Sequence, residues 1–485
     1  MRTGAEYIES VSKLKPTLYH RGQKIDSMVD HPSLKWPIKV VAQIYDWCLD
    51  PQYQDILTTV SPIINDRVDR FLHVFGSVDD LLARQKQMRF LQTHLGGCAV
   101  KCTQLGIVNA LYSTTYDMDE ELGTNYHQRF VDYLRYMQQN DLLVTGAMMD
   151  AKGDRSLTAS QQPDPDMYLH IVEERKDGVV VRGAKAHQTG PMFANEIAVA
   201  PCDMMRSEKE RDYAVAFAIP SETKGITYIL QQNLADAMCT ACVGAEADLG
   251  NPTYGCQFGA TSLMIFDDVF VPNERIFMKG EWKFTRHLVT RMGTMARLWQ
   301  TGCRPAIFDL VIGATCLIAE YNGIARSAHV VDKLTEMSYL TETVWGLALG
   351  AAISGKPTPS GAYIPDPLLT NCAKLQSTRA FYEIIKNAID ITGGIIVSLP
   401  SEEDFRHPEA GKWMEKYLKG AAEFPTEHRL RVVRFLQAMT GGPLAAALHH
   451  SGGPMQNQKI IIFRETDFEA KKKWVRVLTG IEKEE

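Results

Sequence analysis

The sequence predicts an α+β fold: a helical N-terminal unit, a β-rich middle and a long helical C-terminal unit. Three observations carry this. Apolar residues recur at helical spacing through residues 1–141, gather into short β-branched runs through 142–278, and return to helical spacing through 279–485. A chain of 485 residues exceeds one ordinary domain, so several units sharing a large core are expected. A composition of 45% hydrophobic and 23% charged residues is that of a globular protein.

In the first unit, AEYIESVSKL, LKWPIKVVAQIYDWCLD, VDDLLARQKQMRFLQTH and NYHQRFVDYLRYMQQND each place apolar side chains on one helical face. LGGCAVKC, residues 95–102, reads as part of a helix, which would put Cys98 and Cys102 on one face at i, i+4. Such a pair fits core packing as well as ligation. In the middle unit, MYLHIVEERKDGVVVRGAKAHQTG reads as two strands turning at KDG. EIAVAPC, YAVAFAIP, GITYIL and LMIFDDVFVP are further strands between Gly, Pro and Asp turn signals. In the last unit, helices are expected over RPAIFDLVIGATCLIAEY, DKLTEMSYLTETVWGLALGAAIS, LLTNCAKLQSTRAFYEIIKNAIDI and HRLRVVRFLQAMTG, with SGKPTPSGAYIPDP as a loop between two of them. No internal repeat and no low-complexity tract is present.

A net charge of −6 gives no electrostatic reason to expect nucleic acid or an anionic membrane as partner. The opening MRTGAEYIESVSKLKP has no apolar signal region, and no run approaches the ~20 apolar residues of a membrane span. A cytoplasmic location is expected, with the ten cysteines reduced, so a disulfide framework is disfavoured. Cys239 and Cys242 form CTAC, but without a second such pair nearby they read as a turn with two ordinary cysteines rather than a zinc site. No GxGxxG follows a strand, so a Rossmann mode of nucleotide binding is not indicated.

The runs NDLLVTGAMMDAKGDR, YLHIVEERKDGVVVRGAKAHQTG and IFDDVFVPNERIF resemble the 4-hydroxyphenylacetate 3-hydroxylase family. YSTTYDMDEELGTNYH, YNGIARSAHVVDKLTEM and AIDITGGIIVSLPSEEDF resemble its 4-hydroxybutyryl-CoA dehydratase branch in particular. The resemblance runs nearly the whole length of the chain. It implies an acyl-CoA dehydrogenase-like fold, with an N-terminal helical domain, a middle β-barrel and a C-terminal four-helix bundle. It also implies bound FAD, a small-molecule substrate of the CoA-thioester kind, and a homotetramer built as a dimer of dimers. The FAD contacts carried over are DAKGDR with the preceding methionine (Met149, Asp150, Lys152, Gly153, Asp154, Arg155), HQT (His187, Gln188, Thr189) and DITGG (Asp390, Thr392, Gly393, Gly394). The last of these reaches the FAD of a neighbouring subunit in the family.

The same resemblance assigns Cys98, Cys102 and Cys303 to a [4Fe-4S] cluster, for which thiolates are the natural soft, anionic ligands. The branch's ligand histidine falls seven residues before Cys303, where this chain has Ala296. Its tyrosine is Gln300 and its lysine is Arg304. Its two active-site glutamates are missing from 255–263 and 446–454. Cys256 lies near one lost glutamate and is a candidate replacement ligand; His287, nine residues before Ala296, projects from a different turn. His127 has a family precedent near the substrate pocket. His449 and His450 are candidates for the acid–base work of the lost glutamate, since imidazole titrates near neutrality. Three readings stay open: a flavin and iron–sulfur lyase or isomerase acting on a hydroxyacyl-CoA, a reduced-flavin monooxygenase or oxidase, and an inactive paralog.

Overall fold

A computed structural model describes residues 1–231, 260–441 and 443–482, so Cys239, Cys242 and Cys256 lie outside the described residues. The N-terminal helices are α1 (Gly4–Lys13), α2 (Lys35–Leu49), α3 (Gln54–Leu57), α4 (Val78–Leu95), α5 (Cys102–Leu122) and α6 (Tyr126–Gln139). Local chemistry sets their ends. Thr3 and Glu6 form a reciprocal capping box at α1. The Ser77 hydroxyl accepts from the Asp80 N–H at 3.1 Å to start α4, and Gly96 in the left-handed region stops it. The Asp119 carboxylate accepts from the N–H groups of Tyr126 and His127 at the head of α6 (2.8 and 2.9 Å).

The strands of the first two units are β1 (Thr17–His20), β2 (Gln23–Lys24), β3 (Thr58–Ser61), β4 (Asp66–Asp69), β5 (Val144–Ala147), β6 (His170–Glu174), β7 (Gly178–Thr189), β8 (Glu196–Val199), β9 (Val215–Pro220), β10 (Ile226–Leu230), β11 (Thr261–Pro272) and β12 (Ile276–Lys279). They build one sheet in the order β2-β1-β10-β11-β7-β6 and a second in the order β12-β9-β8-β5, with β3 and β4 forming a separate hairpin. The KDG turn joins β6 to β7 as expected, with the Arg175 N–H reaching the Gly178 carbonyl at 2.8 Å. Among the described residues these sheets stay open; the expected β-barrel is two sheets facing one apolar core. β1 also enters the first sheet from the N-terminal unit, parallel to β10 with Thr17 opposite Thr227.

The C-terminal helices are α7 (Thr285–Tyr321), α8 (Ala328–Ile353), α9 (Pro367–Thr392), α10 (Ile395–Ser398), α11 (Glu402–Arg406), α12 (Ala410–Tyr417), α13 (Thr426–Gly441), α14 (Pro443–His450), α15 (Met455–Glu465) and α16 (Phe468–Leu478). α7, α8, α9 and α13 share an apolar core. α7 is long and apolar enough to cross a membrane by composition, yet its apolar stretch is mostly packed inside the protein. The loop between α8 and α9 docks on the N-terminal unit, its Tyr363 N–H donating to the Phe75 carbonyl at 2.8 Å. A third apolar cluster joins α2 and α4 to α7 and α8, and Cys102 and Cys303 pack against it.

Two expectations about the cysteines change. Cys98 lies in a loop after α4, and Cys102 is the first residue of α5, so they share no helical face. The break comes from Gly96 (φ +64°) and from Val100, a β-branched residue held at φ +60°. Cys303 lies in the middle of α7, which begins at Thr285 and runs through Pro305.

Candidate active site

The site forms where the α4–α5 loop, α7, α9 and the ends of the β-strands meet. α4 lies directly on α7 at Gly302: a Cβ there would stand 2.4 Å from the Gln85 amide oxygen, and the Gln85 amide donates to the Leu298 carbonyl at 2.9 Å. This close approach brings Cys303 to the Cys98–Cys102 loop. The Cys98 thiol is held below its usual range by hydrogen bonds from the Cys102 thiol and from the Val100 N–H, the latter at 3.4 Å. Cys102 is pushed the other way by Cys98 and by burial, with Cys303 adding to the effect. Burial lifts the Cys303 thiol to about 12, offset in part by Arg304, Lys374 and Arg84.

Among the described residues, no three His, Cys, Asp or Glu side chains are gathered closely enough to ligate a single ion. A four-iron cluster spreads its thiolates over separate corners, so the donor chemistry is the relevant test. Cys98, Cys102 and Cys303 are near enough to act on one another electrostatically, with the Arg84 and Arg304 guanidinium groups and the Lys374 amine also within reach. Three cysteines under buried cations are a donor set that would fit an iron–sulfur cluster once its binding displaces the thiol protons. At Ala296 α7 offers no fourth, and His287 is drawn off to Asp117, 3.3 Å away.

The expected flavin segment adjoins this loop. A Cβ on Gly190, just after Thr189, would come within 3.1 Å of the Val100 side chain. Around these strand ends the Thr145 and Ser262 hydroxyls and the Gln104 amide nitrogen are buried and find no partner among the described residues. Orphaned donors beside the half-buried Thr189 fit the polar edge of a flavin ring. His187 is exposed at φ +59°, its Nδ1 3.1 Å from the Gln231 amide. The Gln188 amide is spent on main chain, accepting from the Met148 N–H (3.1 Å) and donating to the Met149 carbonyl (3.0 Å).

DAKGDR forms a tight loop. Buried Asp150 pairs with Lys185 at 2.5 Å, and Lys152 pairs with Asp203 at 2.7 Å. Gly153 has no room for a side chain, because a Cβ would lie 2.2 Å from the Gln162 amide oxygen. Asp154 accepts from the Ser156 N–H at 2.9 Å, and Arg155 is exposed. Asp390 pairs with Lys333 at the far end of α9. The Thr392 hydroxyl donates to the Ala388 carbonyl one turn back at 2.7 Å, while Gly393 and Gly394 face open space.

The C-terminal turn closes one side of the site. Arg297, Gln300 and Arg304 lie on one face of α7 and meet residues 448–452. Arg297 Nε donates to the Gly452 carbonyl at 3.2 Å, Gln300 packs on Gly452, and Arg304 donates to the Leu448 carbonyl and to Ser451. His449 Nδ1 lies 2.7 Å from the Tyr382 hydroxyl, and burial, His450, Lys374 and Arg304 hold its pKa below the usual imidazole value. His450 is exposed. His127 stands apart, edge-on to Tyr112 and Tyr116, with Nδ1 3.2 Å from the Thr115 hydroxyl. Burial lowers its pKa.

The sequence reading missed Arg297, Arg84 and Lys374. Lys374 is fully buried and pushed down to about 6 by burial and by Arg304 and Arg297. Its signal was present: Thr370, Lys374, Ser377 and Phe381 form one buried helical stripe, with a cation at a core position.

Residues 3–278 match the N-terminal part of 4-hydroxyphenylacetate 3-hydroxylase, and residues 285–480 match its C-terminal part. The chain belongs to the 4-hydroxyphenylacetate 3-hydroxylase family. Within the family it is 41% identical to the 4-hydroxybutyryl-CoA dehydratase/vinylacetyl-CoA-Δ-isomerase of Clostridium aminobutyricum, over 99% of this chain and 100% of that protein. It is 28% identical to the 4-hydroxyphenylacetate 3-monooxygenase oxygenase component of Thermus thermophilus, over 90% of this chain and 88% of that one. Among solved structures, an oxygen-tolerant archaeal 4-hydroxybutyryl-CoA dehydratase from N. maritimus superposes with a TM-score of 0.94 at 38% identity, covering 100% of this chain and 96% of the other. A 4-hydroxyphenylacetate 3-monooxygenase oxygenase component complexed with FAD gives 0.86 at 25% identity, covering 99% and 98%. Glutaryl-coenzyme A dehydrogenase gives 0.50 at 14%, covering 85% and 83%, which places the architecture with the acyl-CoA dehydrogenase-like folds.

Proposed function

We propose that this chain is a flavin- and iron–sulfur-dependent lyase or isomerase acting on a hydroxyacyl-CoA-type thioester. The reading is carried by 41% identity to a dehydratase of this kind, and it is supported by the mutual influence of Cys98, Cys102 and Cys303 near the loop that adjoins Gly190. The higher identity to the dehydratase than to the monooxygenases favours it over the oxygenase alternative.

Thr189, with the orphaned donors of Thr145, Ser262 and Gln104, holds the flavin ring edge in this reading, and Lys152 and Arg155 lie toward the pyrophosphate. Gly393 and Gly394 serve the flavin of a neighbouring subunit, which makes a homotetramer the working assembly. The three cysteines hold the cluster. When bound, FAD supplies one-electron chemistry and the cluster's open iron a Lewis acid for the leaving hydroxyl. Arg304 anchors the C-terminal turn over the site. His449 shares its Nδ1 hydrogen bond with Tyr382; when Nδ1 carries the hydrogen, Nε2 is free to take a proton from substrate.

Anaerobic incubation of the purified protein with hydroxyacyl-CoA thioesters tests the proposal. Formation of the unsaturated thioester without oxygen is expected. Turnover only with reduced FAD, oxygen and a phenol would overturn it.

A further inference from the structure

Two buried cations are matched by carboxylates: Lys101 pairs with Asp69, and Lys185 with Asp150. Arg84, stacked on the Phe71 ring, is not, and neither is a group of three at the C-terminal turn. Lys374, Arg304 and Arg297 are 0%, 1% and 8% exposed, and among the described residues none has a carboxylate partner. Lys374 Nζ donates to the Thr378 hydroxyl at 2.8 Å. Arg304 spends its terminal nitrogens on neutral oxygens: the hydroxyls of Ser377, Thr378 and Ser451 and the carbonyls of Leu448 and Ser451. Arg297 uses only Nε, on the Gly452 carbonyl.

What remains unspent is informative. Arg304 Nε is buried with no acceptor, and both terminal nitrogens of Arg297 lack a protein partner among the described residues. Basic groups drawn out of water side by side favour an anion between them, and among the described residues no carboxylate takes that place. The group lies beside Cys303 and under the Gly452–Gly453 turn, where both residues have positive φ and no side chain; a Cβ on Gly453 would stand 3.8 Å from Arg297 Nη2. The free fork of Arg297, the Nε of Arg304 and the Lys374 amine suit the two oxygens of a carboxylate.

We propose that Arg297, Arg304 and Lys374 form a carboxylate-binding site, and that the substrate is a CoA thioester whose acyl chain ends in a carboxylate. The inference rests on the thioester reading above. It is tested on the FAD-loaded, anaerobically purified protein by calorimetric titration with succinyl-CoA and with butyryl-CoA, which have the same chain length and differ in the terminal carboxylate. Succinyl-CoA should bind at least about tenfold tighter, the low end for hydrogen bonds made to a charged group. Lys374→Met and Arg297→Met, which remove a buried charge while keeping the side-chain volume, should bring the ratio of the two affinities toward one. Equal affinities in the unaltered protein, or a preference that survives both substitutions, would overturn the inference while leaving thioester binding intact. Failure of both probes to bind would instead remove the thioester reading, and this inference with it.

Discussion

Replacing Lys101 by methionine tests how firmly the cysteine loop is anchored. Lys101 sits between Cys98 and Cys102, with its side chain 1% exposed and paired to Asp69, which is 0% exposed. Its ammonium also lies 3.8 Å from the centre of the Tyr45 ring. Methionine keeps the volume and removes the charge, leaving Asp69 buried and without its cation. Breaking one side of a buried pair costs about 3–5 kcal/mol. Asp69 keeps the Phe71 N–H at 2.9 Å, which argues for the lower end, about 3 kcal/mol. Adding Asp69→Asn should recover much of the loss, because the asparagine oxygen still accepts from Phe71 while the stranded charge is gone. Guanidinium unfolding of the wild type, both single variants and the double variant measures the coupling, expected to be about 2 kcal/mol or more. A loss below about 1 kcal/mol for Lys101→Met, or no recovery in the double variant, would refute the buried-pair account.

Cys303→Ser should lower both iron content and stability, since ligand-binding energy is folding energy; unchanged iron with a loss of only about 1–2 kcal/mol would mean the thiol merely packs. Thr189→Val should weaken FAD binding or shift the flavin potential, measured by ultrafiltration and by redox titration; unchanged values would count against the assignment. Glu427 carries a pH test. Arg406 first, and Arg431 after it, hold its carboxyl down at about 2, against an ordinary value of 4.5. The stabilisation is therefore complete above pH 4.5 and fades as pH falls through about 2, and it is small because the pair is partly exposed. Glu427→Gln should be slightly less stable than wild type at neutral pH, with the difference shrinking as pH falls toward 2 and vanishing below it, by thermal melting.

The long helices were legible because their apolar spacing is unbroken over several turns, as in the stripe Ile384, Ala388 and Ile391 of α9. The β6–β7 hairpin was legible from KDG. The open sheets were not, since closure depends on distant pairings; the parallel match of Thr17 with Thr227 leaves no local trace. The break at Cys98 had one visible signal, the Gly96–Gly97 pair that stops α4, whereas Val100 carries no turn signature and is held at φ +60° by tertiary context. α7 starts earlier than its apolar pattern because Arg297, Gln300 and Arg304 interrupt the stripe on a face that is nonetheless buried against the C-terminal turn. Polar residues at core positions read as surface until the neighbouring element is known, and Lys374 escaped for the same reason.

If Cys98, Cys102 and Cys303 hold an iron–sulfur cluster beside a flavin, anaerobic purification will show it in the visible spectrum and in iron and acid-labile sulfide analysis. A flavin spectrum overlaid by broad sulfide-to-iron absorption is expected, with iron and sulfide in equal amounts, both lost on mild oxidation and protected by substrate. A flavin-only spectrum without iron would contradict it and return the chain to the monooxygenase reading.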